Sequence, residues 1–111
     1  MSHPLDTDTL KRWIRQSRDF VLIDTLPGSI FAKGHLPGAV NLPSDNILDL
    51  APGRFPDKDV TLVVYCASET CKRAGLSAER LKRLGYRHIY HYEGGKKAWL
   101  AEGLSLQTDH S

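Results

Sequence analysis

VTLVVYCASETCKRAGLSAERLKRLGY, residues 60–86, decides how the rest of the chain is read. It opens on VTLVVY (60–65), the most apolar run in the sequence, which predicts a central strand buried on both faces. It closes on a helical pattern from about Cys71 to Leu84. Leu76, Leu81 and Leu84 are expected to face inward there, with Gly85 just past the end. Both cysteines of the chain, Cys66 and Cys71, lie at this strand-to-helix junction. Disulfide staple, metal clamp, redox pair and activated nucleophile are the chemistries to separate.

Working outward, the same two patterns alternate. Asp6 or Thr7 can cap a helix through TDTLKRWIRQS, with Leu10, Trp13 and Ile14 as its buried stripe. FVLID (20–24) reads as a buried strand, and a turn at Pro27-Gly28 leads to a helical turn or two around Ser29–Lys33. Pro37-Gly38 marks a turn before a brief strand, Ala39–Leu42. Ser44 or Asp45 starts a short helix through Leu50, and APGRFPDKD (51–59) reads as a loop. HIYHY (88–92) is a strand, Gly94-Gly95 a turn, and KKAWLAEG a last helix stopped by Gly103. The tail after Leu106 is expected to fray. This alternation predicts an α/β fold with a mainly parallel sheet, as a single domain over residues 1–111 with its core at about 6–105.

Composition narrows the function classes. A 111-residue chain can build one core, and a net charge of +2 is too small to argue for nucleic acid. Its basic residues are interleaved with acidic ones, as on solvated helix faces. MSHPLDTD lacks the apolar stretch of a signal peptide, and no run approaches a membrane span, so the expected location is cytoplasmic. Thiols stay reduced there, which disfavours a structural disulfide. His35, His88 and His91 show no zinc-ligand spacing to the cysteines, so no metal site is expected.

The C-x4-C spacing is not the C-x-x-C of thioredoxin-like proteins, so a redox pair is secondary and the nucleophile leads. In parallel sheets the reactive site lies beyond the carboxyl ends of the strands, where Cys66 falls. A thiol acts as thiolate, and a loop running into a helix N-terminus should lower its pKa through unpaired amides and the positive end of the dipole. Ala67, Ser68, Glu69 and Thr70 are small or polar enough to curl into an amide nest. Ser68 and Thr70 add hydroxyls, while Lys72 and Arg73 add positive charge at the rim. Glu69 is expected to face solvent or to pair with Lys72 or Arg73. A cysteine ending a buried strand can also be a small core hydrophobe, but the polar loop favours chemistry. Cys66 is therefore the expected catalytic residue, and Ala67, Ser68, Glu69, Thr70, Cys71, Lys72 and Arg73 the expected substrate-binding loop. Cys71 reads as packing or a modulating thiol.

Four segments, in order and at the right spacing, resemble the single-domain rhodaneses. VLID with GHLPGAVNLP is similar to that family's strand-Asp and G-H-I-P-G-A-x-N segments. VVYCASETC is similar to its strand-ending cysteine and loop, and LKRLGYRHIYHYEGGKKAWLAEGL to its closing segment. The resemblance implies a five-stranded parallel sheet flanked by helices on both faces, and a sulfurtransferase needing no cofactor. Cys66 would take a sulfane sulfur from a donor such as thiosulfate and hand it, as a persulfide, to cyanide or a thiol. A sulfur-accepting protein is a further candidate partner; a monomer is expected. Ping-pong kinetics would follow.

Two positions depart from the family pattern: Leu26 stands where an arginine is common, and A-S-E replaces the loop's R-x-G. The additional thiol, Cys71, leaves packing, protection or sulfide release open. Asp24 is read as structural, His35 as packing or hydrogen bonding, Trp99 and Trp13 as core. The rival on the same fold is a cysteine phosphatase or arsenate reductase. Its C-x5-R pattern meets Lys72 rather than an arginine, and lysine lacks the planar fork that clamps phosphate. A non-catalytic sulfur-carrier or regulatory module is the third reading.

Overall fold

In the computed structural model, which describes residues 2–108, the run around Val63 becomes the middle strand of a five-stranded parallel sheet. The elements in chain order are β1 (His3–Leu5), α1 (Thr7–Arg15), β2 (Val21–Asp24), α2 (Gly28–Lys33) and β3 (Val40–Asn41). A 3-10 turn (Ser44–Asn46) leads into α3 (Ile47–Arg54), followed by β4 (Thr61–Tyr65), α4 (Arg73–Arg83), β5 (His88–Tyr92) and α5 (Gly95–Ala101). The strand order is β1-β5-β4-β2-β3. Asp24 is in register with Tyr65, and Val64 with His91. The chain winds one way from β2 to β3 and the other way from β4 to β5. The crevice at the carboxyl ends of β2 and β4 is thus a topological switch point, where parallel sheets place their sites.

The pleat of β4 divides the core. Leu62 and Val64 pack with Ile23 under α3 and α4, beside Ile47, Ala51, Ala78 and Leu81. Val63 and Tyr65 face the other way, among Leu10 and Trp13 of α1 and Trp99 of α5. Leu62, Val63, Val64 and Tyr65 are all fully buried. Each such aliphatic side chain stabilises by about 1.5–3 kcal/mol. The sheet is therefore flanked by helices on both faces, the α/β architecture expected from the alternation.

Several expectations are corrected. Helix α1 starts at the Asp6 cap, whose Oδ1 accepts from the Thr9 amide at 2.8 Å. Its buried stripe is Leu10 and Trp13, whereas Ile14 is exposed. Helix α4 begins at Arg73 rather than Cys71 and buries Ala74, Ser77, Ala78 and Leu81. Small residues hold it close to the sheet, and this rotates Leu76 into solvent while Leu84 packs at the core margin.

Residues 51–54, read as loop, continue α3 despite Pro52. The proline forfeits a helix hydrogen bond, but Ala51 is buried and Phe55 packs on the core. The Tyr86 hydroxyl also lies 3.0 Å from the Ala51 carbonyl and 2.5 Å from that of Phe55. Gln107, assigned to the frayed tail, is bridged to His35 by two backbone hydrogen bonds of 2.9 and 2.8 Å. Its side chain accepts from the Gly38 amide. Residues 109–111 of that tail lie outside the described residues. Among the described residues, no helix is long and apolar enough to cross a membrane.

Candidate active site

The floor of the switch-point crevice is a buried polar chain. Asp24 ends β2 and accepts from the Leu26 amide through Oδ1 and from the Tyr65 hydroxyl through Oδ2, both at 2.9 Å. The Tyr65 oxygen in turn accepts from the Leu36 amide at 3.0 Å. Asp24 is fully buried, and burial raises its pKa. The Leu26 amide, the Tyr65 hydroxyl and the charges of Lys96 and His35 pull the other way. Burial and the neighbouring Asp24 carboxylate raise the Tyr65 phenol, so it serves as a donor. Asp24 has the structural place expected, tying a loop amide to the strand ends. His35 does likewise: its Nδ1 lies 2.8 Å from the Phe31 carbonyl and its ring stacks on Phe31 at 3.9 Å.

Cys66 follows Tyr65 immediately. Strand β4 alternates faces, so its side chain turns toward α4 and joins the core cluster that includes Ala74 and Leu26, only 2% exposed. The loop then folds as a turn closed by the Cys71 amide on the Ser68 carbonyl at 3.1 Å. This carries Cys71 back beside Cys66. The Cys66 thiol donates to the Cys71 carbonyl at 3.3 Å.

The electrostatics of this pair correct the reading of a lowered Cys66. Burial pushes the Cys66 thiol up to about 11, helped by the hydrogen bond and charge of Cys71, against the amides of Ala74 and Ala67. At Cys71 burial acts upward too. It is outweighed by the hydrogen bond from Cys66, the amides of Arg73 and Ala67 and the charge of Arg73, so that thiol is lowered. The two thiols are thus moved in opposite directions, Cys66 upward and Cys71 downward. The nest expected along residues 67–72 also has a different composition: Ala67, Arg73 and Ala74 supply the amides that reach the sulfurs. The Ser68–Cys71 turn spends the Cys71 amide on a carbonyl, and the Ser68 and Thr70 hydroxyls bond each other at 2.9 Å. Glu69 faces solvent.

The loop is held from beneath by residues that pattern reading passed over. The Lys96 amide donates to the Cys66 carbonyl at 3.0 Å and the Lys97 amide to that of Ala67 at 2.9 Å. This close approach requires Gly95: its φ is 61°, and a Cβ there would lie 2.3 Å from the Cys66 carbonyl oxygen. The Gly94-Gly95 pair was the available signal, but it indicated only a turn. The Lys96 side chain donates to the Gly34 carbonyl at 2.9 Å, joining α5 to the segment before β3.

Two surface grooves meet at Cys71. One, of about 590 Å³, runs over Lys72, Gly75, Leu76, Glu79, Lys82 and His91. The other, of about 630 Å³, includes Arg73, Ser44 and Asp45. Cys71, Lys72 and Leu76 line both. His91, unremarked in the sequence beyond its metal-ligand spacing, enters the first groove from the end of β5, and burial lowers its pKa.

The fold and site define a class: an α/β protein presenting a cysteine-centred loop at the switch point of a parallel sheet. The model of the rhodanese-like domain family matches residues 6–102, and the chain belongs to that family. It is 27% identical to a sulfurtransferase of Allochromatium vinosum over 106 residues, covering 96% of this chain and 95% of that one. It is 30% identical to the thiosulfate sulfurtransferase PspE of Escherichia coli over 74 residues, covering 67% of this chain and 69% of that protein. Among solved structures, the BH2092 protein of Bacillus halodurans superposes with a TM-score of 0.88 at 21% identity, over 96% of this chain and 77% of that one. That last likeness is one of fold.

Proposed function

We propose that this protein is a sulfurtransferase that carries a sulfane sulfur as a persulfide on Cys66. The observation that carries the reading is the position of Cys66: a thiol ending the central strand at the switch point, in reach of the Ala67 and Ala74 amides. In the first step a Cys66 thiolate attacks the outer sulfur of a donor such as thiosulfate. A sulfur–sulfur bond forms to Cys66 as the donor's bond breaks, and sulfite leaves. In the second step cyanide or a thiol attacks the outer sulfur and Cys66 departs as thiolate. Backbone amides that hold a thiolate also hold an anionic persulfide. The loop offers no arginine to a sulfonate, and Lys72 and Arg73 at the start of α4 are the cations nearest in sequence.

The test is to supply thiosulfate and cyanide to the reduced protein and to measure thiocyanate. Wild type is expected to form thiocyanate with ping-pong kinetics, and Cys66→Ser to form none. Thiocyanate formation undiminished in Cys66→Ser refutes the assignment of the carrier. Hydrolysis of p-nitrophenyl phosphate without any persulfide would transfer the site to phosphoryl chemistry.

A further inference from the structure

The loop contains a second thiol that the transfer reaction does not consume, and it is placed against the first. The Cys66 sulfur sits 3.3 Å from the Cys71 carbonyl, and the charge of Cys71 acts on the Cys66 thiol. The two differ in exposure: Cys66 is buried, while Cys71 lines both surface grooves that meet at the loop. The turn closed between Ser68 and Cys71 is what brings residues separated in sequence together.

We propose that Cys71 is a resolving cysteine, which attacks the Cys66 persulfide and releases its outer sulfur as hydrogen sulfide. This rests on the persulfide reading above and extends it to a second, internal fate of the same intermediate. The Cys71 proton passes to the outer sulfur, and the Cys71 thiolate attacks Sγ of Cys66. A Cys66–Cys71 disulfide forms, the bond from Cys66 to the outer sulfur breaks, and hydrosulfide leaves. The sulfane sulfur gains two electrons and the two thiols supply them, so this step needs no external oxidant. An external dithiol then reduces the disulfide and restores the starting pair.

Attack on the inner sulfur, rather than transfer of the outer one to Cys71, follows from position. Cys66 Sγ, the inner atom of the persulfide, is the one that lies against the Cys71 residue, 3.3 Å from its carbonyl. Leaving-group chemistry points the same way. Thiol–disulfide exchange runs faster toward the more acidic leaving thiol, and hydrogen sulfide is far more acidic than a Cys66 thiol pushed up to about 11. The exposed edge at Cys71 provides a route out for sulfide and a route in for the dithiol.

The experiment uses the full, pre-reduced chain with thiosulfate and no other thiol or cyanide. Sulfite reports loading, sulfide reports resolution, and intact mass reports the product. Wild type is expected to yield sulfite and sulfide in equal amounts and to end two hydrogens lighter, with Cys66 and Cys71 joined in a peptide map. Cys71→Ser, with Cys71→Ala as its partner variant, is expected to yield sulfite without sulfide and to retain one added sulfur atom. Wild type that makes sulfite but keeps the added sulfur overturns the resolving role and leaves the sulfurtransferase reading standing. So does a peptide map placing the sulfur on Cys71. Absence of sulfite in wild type and in both variants overturns the two readings together.

Discussion

The Cys66 carbonyl accepts from the Lys96 amide at 3.0 Å, so the first turn of α5 holds the loop that follows β4. The contact depends on Gly95, where a methyl group would lie 2.3 Å from that carbonyl oxygen and 3.0 Å from the Ser68 nitrogen. An alanine would also have to adopt a φ of 61°. The left-handed conformation costs about 1–2 kcal/mol, before any displacement of the loop. Gly95→Ala is therefore expected to lower stability in urea unfolding by more than that, and to slow persulfide loading. Gly103→Ala is the control: φ is 77°, but a methyl there meets nothing within 4 Å. It should show the conformational cost with loading rates intact. Equal loading in both variants would show that the α5 contact does not set the loop.

The two thiols titrate against each other. Burial is the largest cause of the raised Cys66 value, but the hydrogen bond and charge of Cys71 add to it. Cys71→Ala removes those two contributions and leaves burial. The Cys66 thiol is expected to titrate below about 11 in that variant, read by ultraviolet thiolate absorbance. In wild type, Cys71 is expected to be alkylated first, with a midpoint below its ordinary 9.0. An unchanged Cys66 titration in Cys71→Ala would mean that the sulfurs do not communicate.

Asp24 gives the fold a pH dependence of defined sign. Its folded pKa is raised above the ordinary 3.8, chiefly by burial. Between those two values the native state holds a proton that the unfolded chain has lost, so stability from this group falls as pH rises through the window. Urea unfolding across that range should show the decline, and Asp24→Asn should lack it. Tyr65→Phe removes the 2.9 Å donor to Asp24. Leaving that buried acceptor short costs about 1–3 kcal/mol and is expected to extend the window upward. A flat wild-type profile would mean that Asp24 titrates alike in both states.

Where local pattern and tertiary role coincide, the fold is legible in the residues. Residues 60–65 are apolar throughout because β4 is buried on both faces, and Asp6 caps α1 because the first turn needs an acceptor. β1 is different: His3 and Pro4 are exposed and only Leu5 turns inward. Its register with Tyr90–Tyr92 is set by β5, at the far end of the chain. α3 runs through Pro52 for a similar reason, since its end is satisfied by Tyr86 from beyond α4. Cys66 stands out because an apolar run stops there against polar residues. What the loop does to its charge was not legible, since that depends on the turn returning Cys71 to its side. Gly95 was read as turn chemistry, whereas its contact with the Cys66 carbonyl exists only once β5 has paired with β4.

Ser77 offers a test of how tightly α4 is docked. It is fully buried on the face that meets the sheet, and its hydroxyl has no hydrogen-bond partner among the described residues. A desolvated, unpartnered hydroxyl costs about 1–3 kcal/mol. Alanine would remove that cost and is also the better helix former, by up to about 0.7 kcal/mol. Against this stands the small void left by the missing oxygen. Ser77→Ala is expected to raise stability by about 1 kcal/mol, with the urea midpoint moving up and the m-value constant. Thiocyanate formation should not change, because Ser77 bonds to neither cysteine. A fall in the midpoint would show that packing around the hydroxyl outweighs its desolvation, and that α4 tolerates no loss of volume against β4.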